Sequence, residues 1–509
     1  MTSAARRLGW AVAGGVLLYA GHPPWDQAWA GYVAVAPLAA LAREIGGDRR
    51  PWRSGLGWGL LAGLVFFAPL LAWISRFGIA PWVVLALIQA LFVGAFVAVA
   101  AAWGERPWRP LVVVAAWVAF EWARSLLPLN GFPWGVLAYT QHNGGPALPV
   151  ARVLGVLGVS AVLAGVGVCL EQLVASLRRR GAWRSVAAPV LGLVIVAVVM
   201  IAVPAPPAPT GETVDIAGIQ GNDVDLPAFV DRTDSNRIAD IADRMVAVTS
   251  QLADSPEGPP DVVVWPENAL DSDPRAVPAI KQKVVEAQRS IGDATLLAGA
   301  LLNGKVDRTF RNTVVRFGAG GEIVDIYDKR ILVPFGEYVP ARSLLGGLPP
   351  LAAVPSDGVP GEGPHVFDVD GVRIGPVTCY ESLFPRLVRD QVRAGAQVLV
   401  VSTNNASYGR TPASRQHLAF SQVRAVETGR WVLHAGISGI SAVVSPQGDL
   451  SQRTELFEQA IVRADMPLVD TPTLYVRLGD IVGPLAGLIT FVAVGWLLTR
   501  RPGKAANSG

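Results

Sequence analysis

The sequence predicts a polytopic α-helical membrane domain joined to a separate α/β domain, on three observations. Hydrophobic residues make up 51% of the 509 and charged residues only 16%, against about a quarter charged in soluble globular chains. The shortfall of charge is uneven: residues 8–203 and 478–499 are rich in Gly, Ala, Leu and Val, whereas 210–475 has ordinary soluble composition. Within that last stretch, short β-branched runs alternate with helix-like segments, the pattern of layered α/β folds.

Apolar spans read as 9–21, 28–42, 56–74, 81–103, 110–127, 152–174, 186–203 and 478–499. A helix needs about 20 residues to cross a bilayer, which 56–74, 81–103, 152–174 and 478–499 supply. The first two spans are shorter and are interrupted by His22-Pro-Pro-Trp25, so they read as a hairpin. Arg6 and Arg7 precede the first span, and Arg43, Arg49, Arg50 and Arg53 follow the second. Arg106 and Arg109 follow the fourth, Arg178 to Arg180 and Arg184 the sixth, and Arg500, Arg501 and Lys504 the last. The intervening loops 22–28 and 128–150 carry no Lys or Arg, and 75–80 carries Arg76 alone. By the positive-inside rule this alternation puts both termini in the cytoplasm and residues 204–477 on the outer side. A cleavable leader is not expected, because no short apolar core is followed by a small-residue cleavage site and a soluble chain. The expected division is 1–203 for the leading helices, 204–477 for the water-facing domain, and 478–509 for a final helix and tail.

The net charge of +3 is too small to call for a polyanionic partner, and the basic residues gather at span ends, so no nucleic-acid partner is expected. Two cysteines cannot build a disulfide framework: Cys169 lies in an apolar helix, and Cys379 is expected as a free thiol. The five histidines show no metal-ligand spacing, so neither metal nor cofactor is expected. His417, on a helical stretch, reads as a packing or surface residue.

Pro204-Ala-Pro-Pro-Ala-Pro-Thr210 is a stiff linker by composition. Beyond it, strands are predicted over Val214–Gln220, Val262–Trp265, Leu296–Leu301, Thr313–Phe317, Ile323–Tyr327, Val372–Cys379, Val398–Thr403, Trp431–Ala435 and Ser441–Val444. Helices are predicted over Ser235–Leu252, Val277–Ser290 and Ser414–Thr428.

Three strand ends carry complementary chemistry. Val262-Val-Val-Trp265-Pro266-Glu267 is an apolar strand stopped by proline, with a carboxylate at the strand-to-loop corner. Tyr327-Asp-Lys329 ends a β-type run with an ammonium, and a loop punctuated by Pro334, Gly336 and Pro340 then carries Glu337. Gly371-Val-Arg-Ile-Gly-Pro-Val-Thr-Cys379-Tyr380-Glu381 delivers a lone thiol beside a phenol and a carboxylate. Taken singly, these residues read as a helix cap, strand-edge charges and a buried structural cysteine. Taken together, at converging ends of one α/β sheet, they make a nucleophile, a general base and an oxyanion partner.

Trp265-Pro-Glu267, Lys329 and Cys379-Tyr-Glu381, in that order, resemble the nitrilase superfamily over residues 210–470. That resemblance implies a nitrilase-like αββα sandwich bearing a Glu–Lys–Cys triad. The membrane spans, Leu332-Val-Pro-Phe-Gly-Glu337-Tyr-Val-Pro, Gly131-Phe-Pro-Trp134 and Ser402-Thr-Asn-Asn405 are similar, over nearly the whole chain, to the membrane-embedded branch, the apolipoprotein N-acyltransferase family. This implies Glu267 as base, Lys329 as oxyanion stabiliser, Cys379 as nucleophile, and Glu337, Tyr380 and Glu381 as active-site support. It also implies a phospholipid acyl donor, a diacylglyceryl-modified lipoprotein as acceptor, the lipid bilayer as milieu, and a monomer. The alternative is a membrane-tethered nitrilase-type amidase or hydrolase, for which one anchor would suffice. A silent scaffold is disfavoured by the intact triad.

Three places depart from the family pattern. Phe229 stands where a Trp is usual, His434-Ala-Gly-Ile437-Ser-Gly-Ile-Ser441 lacks an Arg and an Asn, and Asn405-Ala-Ser-Tyr408-Gly replaces an Asp-Ala-Trp-Phe-like run. These bear on the pocket wall and acyl preference rather than on the triad. The apolar loop Leu344–Val354 reads either as a lid or lipid-contacting arm or as a buried proline-rich loop.

Overall fold

A computed structural model describes residues 2–178, 183–223, 235–347, 351 and 354–499. Phe229 and most of the proline-rich centre of loop 344–354 lie outside the described residues.

The leading part is a helical bundle: α1 (Ser3–Ala20), α2 (Ala28–Val33), α3 (Val35–Ile45), α4 (Pro51–Leu70), α5 (Ile79–Trp103), α6 (Arg109–Arg124), α7 (Ala151–Arg178) and α8 (Trp183–Ile201). Among the described residues, four stretches are long and apolar enough to cross a membrane: Pro51–Leu70, Ile79–Trp103, Leu148–Arg178 and Val482–Thr499. They coincide with the four full-length spans read from the sequence, and Ser185–Ile201 is a shorter apolar helix. Gly55, Gly59 and Gly63 recur every fourth residue on α4 and admit α5 at close range. A Cβ at Gly63 would lie 2.6 Å from the Ala90 backbone. Small residues at such spacing let helices pack where lipid supplies no hydrophobic drive.

The two ends of the bundle differ. At one, Arg7 pairs with Asp48 at 2.8 Å, and Arg43 and Arg109 converge on Glu171 at 2.5 and 3.0 Å. The arginine-rich loops are therefore neighbours. At the other end, loops 21–27, 71–78 and 125–150 meet the α/β domain: Gln416 Nε2 donates to Pro23 O at 3.0 Å, and Arg76 Nε to Ser407 O at 3.0 Å.

The α/β domain contains β1 (Thr213–Gln220), β2 (Val262–Leu270), β3 (Thr295–Asn303), β4 (Thr309–Phe317), β5 (Ile323–Asp328), β6 (Asp357–Gly358), β7 (Phe367–Val369), β8 (Val372–Thr378), β9 (Val398–Thr403), β10 (Val432–Gly436), β11 (Ala442–Val444), β12 (Leu450–Ser451) and β13 (Ala460–Pro467). One sheet runs β13-β1-β2-β3-β4-β5, with β6 paired to β4, and the other runs β12-β11-β10-β9-β8-β7. Val214, Ile216, Val264 and Leu297 of the first sheet pack on Phe367, Ile374, Val400 and Leu433 of the second. Helices α9 (Ser235–Thr249) and α10 (Pro278–Ile291) cover the outer face of the first sheet. A short α11 (Arg342–Leu345) lies in the connection to β6. Helices α12 (Pro385–Arg393) and α13 (Ala413–Thr428) cover the second sheet, and α14 (Leu474–Leu478) leads to α15 (Val482–Thr499). The result is the αββα sandwich.

Two details differ from expectation. Strand β2 does not stop at Pro266 but resumes to Leu270, with its register to β3 shifted between Trp265 and Leu270. Proline has no N–H for the ladder, so the strand bulges there instead of ending, and Glu267 projects from the bulge. Helix α13 carries a polar sequence, yet every residue but Arg415 is buried. One face of it packs on the second sheet through Leu418 and Ala425, and another packs on the bundle through Phe420, Val423 and Val426.

Candidate active site

Glu267 comes from the bulge inside β2, Lys329 and Cys379 follow the ends of β5 and β8, and the two sheets of the sandwich bring the three together. Lys329 Nζ donates to Glu267 Oε1 at 2.9 Å and lies 3.0 Å from both oxygens of Glu337. The Glu267 carboxylate and the Cys379 thiol are close enough for each to shift the other's protonation. All three side chains are buried.

The bulge that presents Glu267 is packed tightly against β3, where a Cβ on Gly299 would lie 2.4 Å from Pro266 O. Asn312, on β4, then fixes the carboxylates. Its Nδ2 donates to Glu267 Oε1 at 2.8 Å and to Glu337 Oε1 at 2.6 Å. The Asn404 amide holds Glu267 Oε2 at 2.9 Å, and the Val333 amide holds Glu337 Oε2 at 2.7 Å. Sequence reading missed Asn312, which falls one residue before the predicted strand Thr313–Phe317 but lies inside β4 (Thr309–Phe317). Asn404 belongs to the quoted Ser402–Asn405 segment but acts through its backbone, which no side-chain motif reveals.

Cys379 caps β8 with φ +49°, a left-handed backbone conformation that costs a non-glycine residue energy and turns its side chain out of the strand. Glu381 secures that turn from behind rather than touching the triad. Its carboxylate accepts from Tyr327 Oη at 2.8 Å, Arg330 N at 2.6 Å and Thr378 N at 2.8 Å. The Tyr380 phenol leaves the domain altogether and donates to Gly131 O at 2.9 Å. Gly131, at φ +86°, lies where a Cβ would clash with Ser125 at 2.1 Å, so only glycine closes this loop against the end of α6.

Burial pushes the Cys379 thiol up, and the adjacent Glu267 charge raises it further against the pull of Lys329. Burial would raise Glu267 too, but the Lys329 ammonium and the hydrogen bonds from Lys329 and Asn312 outweigh it and hold the carboxyl below its ordinary value. Lys329 is buried, which favours the neutral amine, yet the charges of Glu267 and Glu337 keep it firmly protonated. The resting cluster is therefore thiol, carboxylate and ammonium.

Aromatic rings connect this cluster to the bundle. Phe132 stacks on Trp134 at 5.7 Å and faces Tyr380 at 6.3 Å, while Tyr408 meets Trp73 at 4.5 Å and Trp134 at 6.3 Å. Burial raises the Tyr408 phenol, and the Glu267 carboxylate adds to it. His434, from the departing segment, stands behind His417 with ring centroids 5.3 Å apart.

Comparison with known proteins gives two family matches. Residues 14–169 match the model described as the apolipoprotein N-acyltransferase N-terminal domain, and residues 238–474 match that of carbon-nitrogen hydrolases. The apolipoprotein N-acyltransferase of Mycolicibacterium smegmatis is 35% identical over 498 residues, covering 93% of this chain and 82% of that protein. The protein of the same name from Geobacter metallireducens is 30% identical over 493 residues, covering 92% and 91%.

Proposed function

This chain belongs to the apolipoprotein N-acyltransferase family, and from that premise we propose how its own residues carry the reaction. It is an acyltransferase that moves an acyl chain from a phospholipid to the N-terminal amine of an S-diacylglyceryl cysteine, through a thioacyl-enzyme. One observation supports the residue assignment above all others: the gathering of thiol, carboxylate and ammonium in a single buried cluster next to the loops of the helical bundle.

In the first half-reaction Glu267 takes the thiol proton as Cys379 Sγ attacks the ester carbonyl carbon. Lys329, with a backbone N–H beside Cys379, stabilises the tetrahedral oxyanion. The carbon–oxygen bond to glycerol then breaks, and Glu267 returns the proton to the leaving alkoxide, releasing a lysophospholipid. In the second half the free α-amine attacks the thioester, Glu267 accepts its proton, and collapse expels Cys379, which is reprotonated. A thioester is a reactive acyl donor, so one difficult transfer becomes two easier ones. Glu337 and Asn312 hold Lys329 and Glu267 in place throughout. The aromatic surface of Phe132, Trp134, Trp73 and Tyr408 receives the acyl chain.

The arrangement of the ends of the bundle supports a topology in which the arginine-rich loops and both termini are cytoplasmic and residues 204–477 face the outer leaflet. We read residues 1–203 and 478–509 as the membrane part and the chain as a monomer.

A transfer assay tests the reading. Purified protein is given a phospholipid with a labelled acyl chain and a synthetic S-diacylglyceryl lipopeptide. Label should appear as an amide on the peptide α-amine, with lysophospholipid in equal amount. Label released as free fatty acid at the same rate with or without the peptide would favour a hydrolase instead.

A further inference from the structure

We propose that His417 is a positioning residue for the nucleophile: through its Nε2–H, and together with Ser382, it clamps the carbonyl of Cys379 and keeps that residue in the backbone conformation that presents the thiol. The inference rests on the reading of Cys379 as the nucleophile.

The Cys379 carbonyl oxygen accepts from Ser382 Oγ at 2.8 Å and from His417 Nε2 at 3.1 Å, and the two donors are themselves 3.0 Å apart. Cys379 is held at φ +49°, a conformation that persists only where its surroundings over-determine it. Two hydrogen bonds on one carbonyl are such a constraint, because rotation of the Cys379 backbone out of this well would swing its oxygen off both donors.

The tautomer follows from the partners. Burial keeps the His417 ring neutral, with a pKa lowered to about 4, so it carries one N–H. The Cys379 carbonyl can only accept, which puts that proton on Nε2. Nδ1 is then an acceptor, 3.3 Å from Thr403 Oγ1, and Asn405 Oδ1, which lies 2.9 Å from it and can only accept, must exchange places with the amide nitrogen. Turned over, that amide would donate its nitrogen, which otherwise lies buried without a partner. The residue that carries the thiol is thus gripped at its carbonyl by Ser382 and His417.

The neighbouring residue on α13 explains why the clamp sits there. Gln416 Oε1 accepts from Trp134 Nε1 at 2.7 Å, and its Nε2 donates to Pro23 O. One residue on α13 therefore holds the bundle loops while the next holds the nucleophile.

The test compares His417→Leu, His417→Gln and Ser382→Ala with the unaltered full-length protein. Thioacyl-enzyme formation from phospholipid is followed by intact mass under single-turnover conditions and normalised to alkylatable Cys379. The unfolding midpoint is measured alongside. His417→Leu should lower the maximal rate at least about tenfold with the half-saturating phospholipid concentration unchanged, and His417→Gln, which restores an N–H donor, should recover most of it. Ser382→Ala should slow the step in the same sense, which keeps the idea testable should His417→Leu fail to fold. Wild-type rates in His417→Leu or in Ser382→Ala would overturn the proposal, as would a Gln variant no faster than a folded Leu variant. An unaltered protein that takes up no acyl group would instead remove the premise that Cys379 is the nucleophile.

Discussion

The Tyr380 phenol donates to the Gly131 carbonyl at 2.9 Å, so the residue next to the thiol is tied to the loop that follows α6. This bond joins the candidate site to the helical bundle. Tyr380→Phe removes it while leaving the ring in its stack with Phe132. One neutral hydrogen bond is worth about 1 kcal/mol, so thioacyl-enzyme formation should fall about fivefold with little change in unfolding midpoint. A single-turnover measurement with phospholipid checks this, and an unchanged rate would show that the tether does not position the thiol.

Lys329 lies between two carboxylates, and its loss should be felt twice. Lys329→Ala leaves Glu267 and Glu337 facing one another around Asn312, and breaking a buried ion pair costs about 3–5 kcal/mol. The oxyanion also loses its cation, worth a factor on the order of a hundred or more in rate. Turnover and thermal unfolding on the same preparation separate the two effects. Full turnover in a folded Lys329→Ala protein would refute the role given to this residue.

The pH dependence follows from the shifts. As the proposed base, Glu267 must be ionised in the first half-reaction, and its pKa lies below the ordinary 4.5. Activity should therefore be level through neutral pH and be lost only as the pH falls below that value. The same depressed carboxyl contributes stability that is present above the unfolded-state pKa and lost as the pH falls through the folded-state one. The thiol is raised above its ordinary 9.0, so no increase in rate should centre between pH 8 and 9. A rise of that kind in thioacyl-enzyme formation would indicate a free thiolate pathway in place of general-base catalysis.

Glu381 accepts only from donors, so Glu381→Gln would turn an amide NH2 toward Tyr327 Oη and the Arg330 and Thr378 amides. Leaving such groups unpaired in the interior costs about 1–3 kcal/mol for each one. The variant should unfold at a distinctly lower temperature and lose activity with the turn that holds Cys379. A variant as stable as the parent, in a thermal melt, would show that the carboxylate is not what fixes the turn.

Most of the architecture was legible because its signals are local. The four full-length spans, the strand runs and the three strand-end residues each follow from periodicity, proline placement and residue chemistry. What escaped is nonlocal. β13, from Ala460 to Pro467, pairs with β1 some 240 residues earlier in the chain, and its alternation with charges gave no cue to a partner. Pro266 was expected to end β2, yet a bulge kept the strand going because β3 lies close enough at Gly299 to resume pairing. His417 reads as a packing or surface residue in the sequence, because nothing local shows that α13 is buried between the second sheet and the bundle. Asn312 is informative only once Glu267 and Glu337, from two other segments, are seen on either side of it.

Intact-mass measurement of the purified protein after incubation with phospholipid tests the central claim most directly. The mass should rise by one acyl group, the increment should be absent in Cys379→Ala, and a diacylglyceryl lipopeptide should discharge it. An increment that survives the loss of Cys379, or no increment in a preparation that still acylates the lipopeptide, would contradict the account.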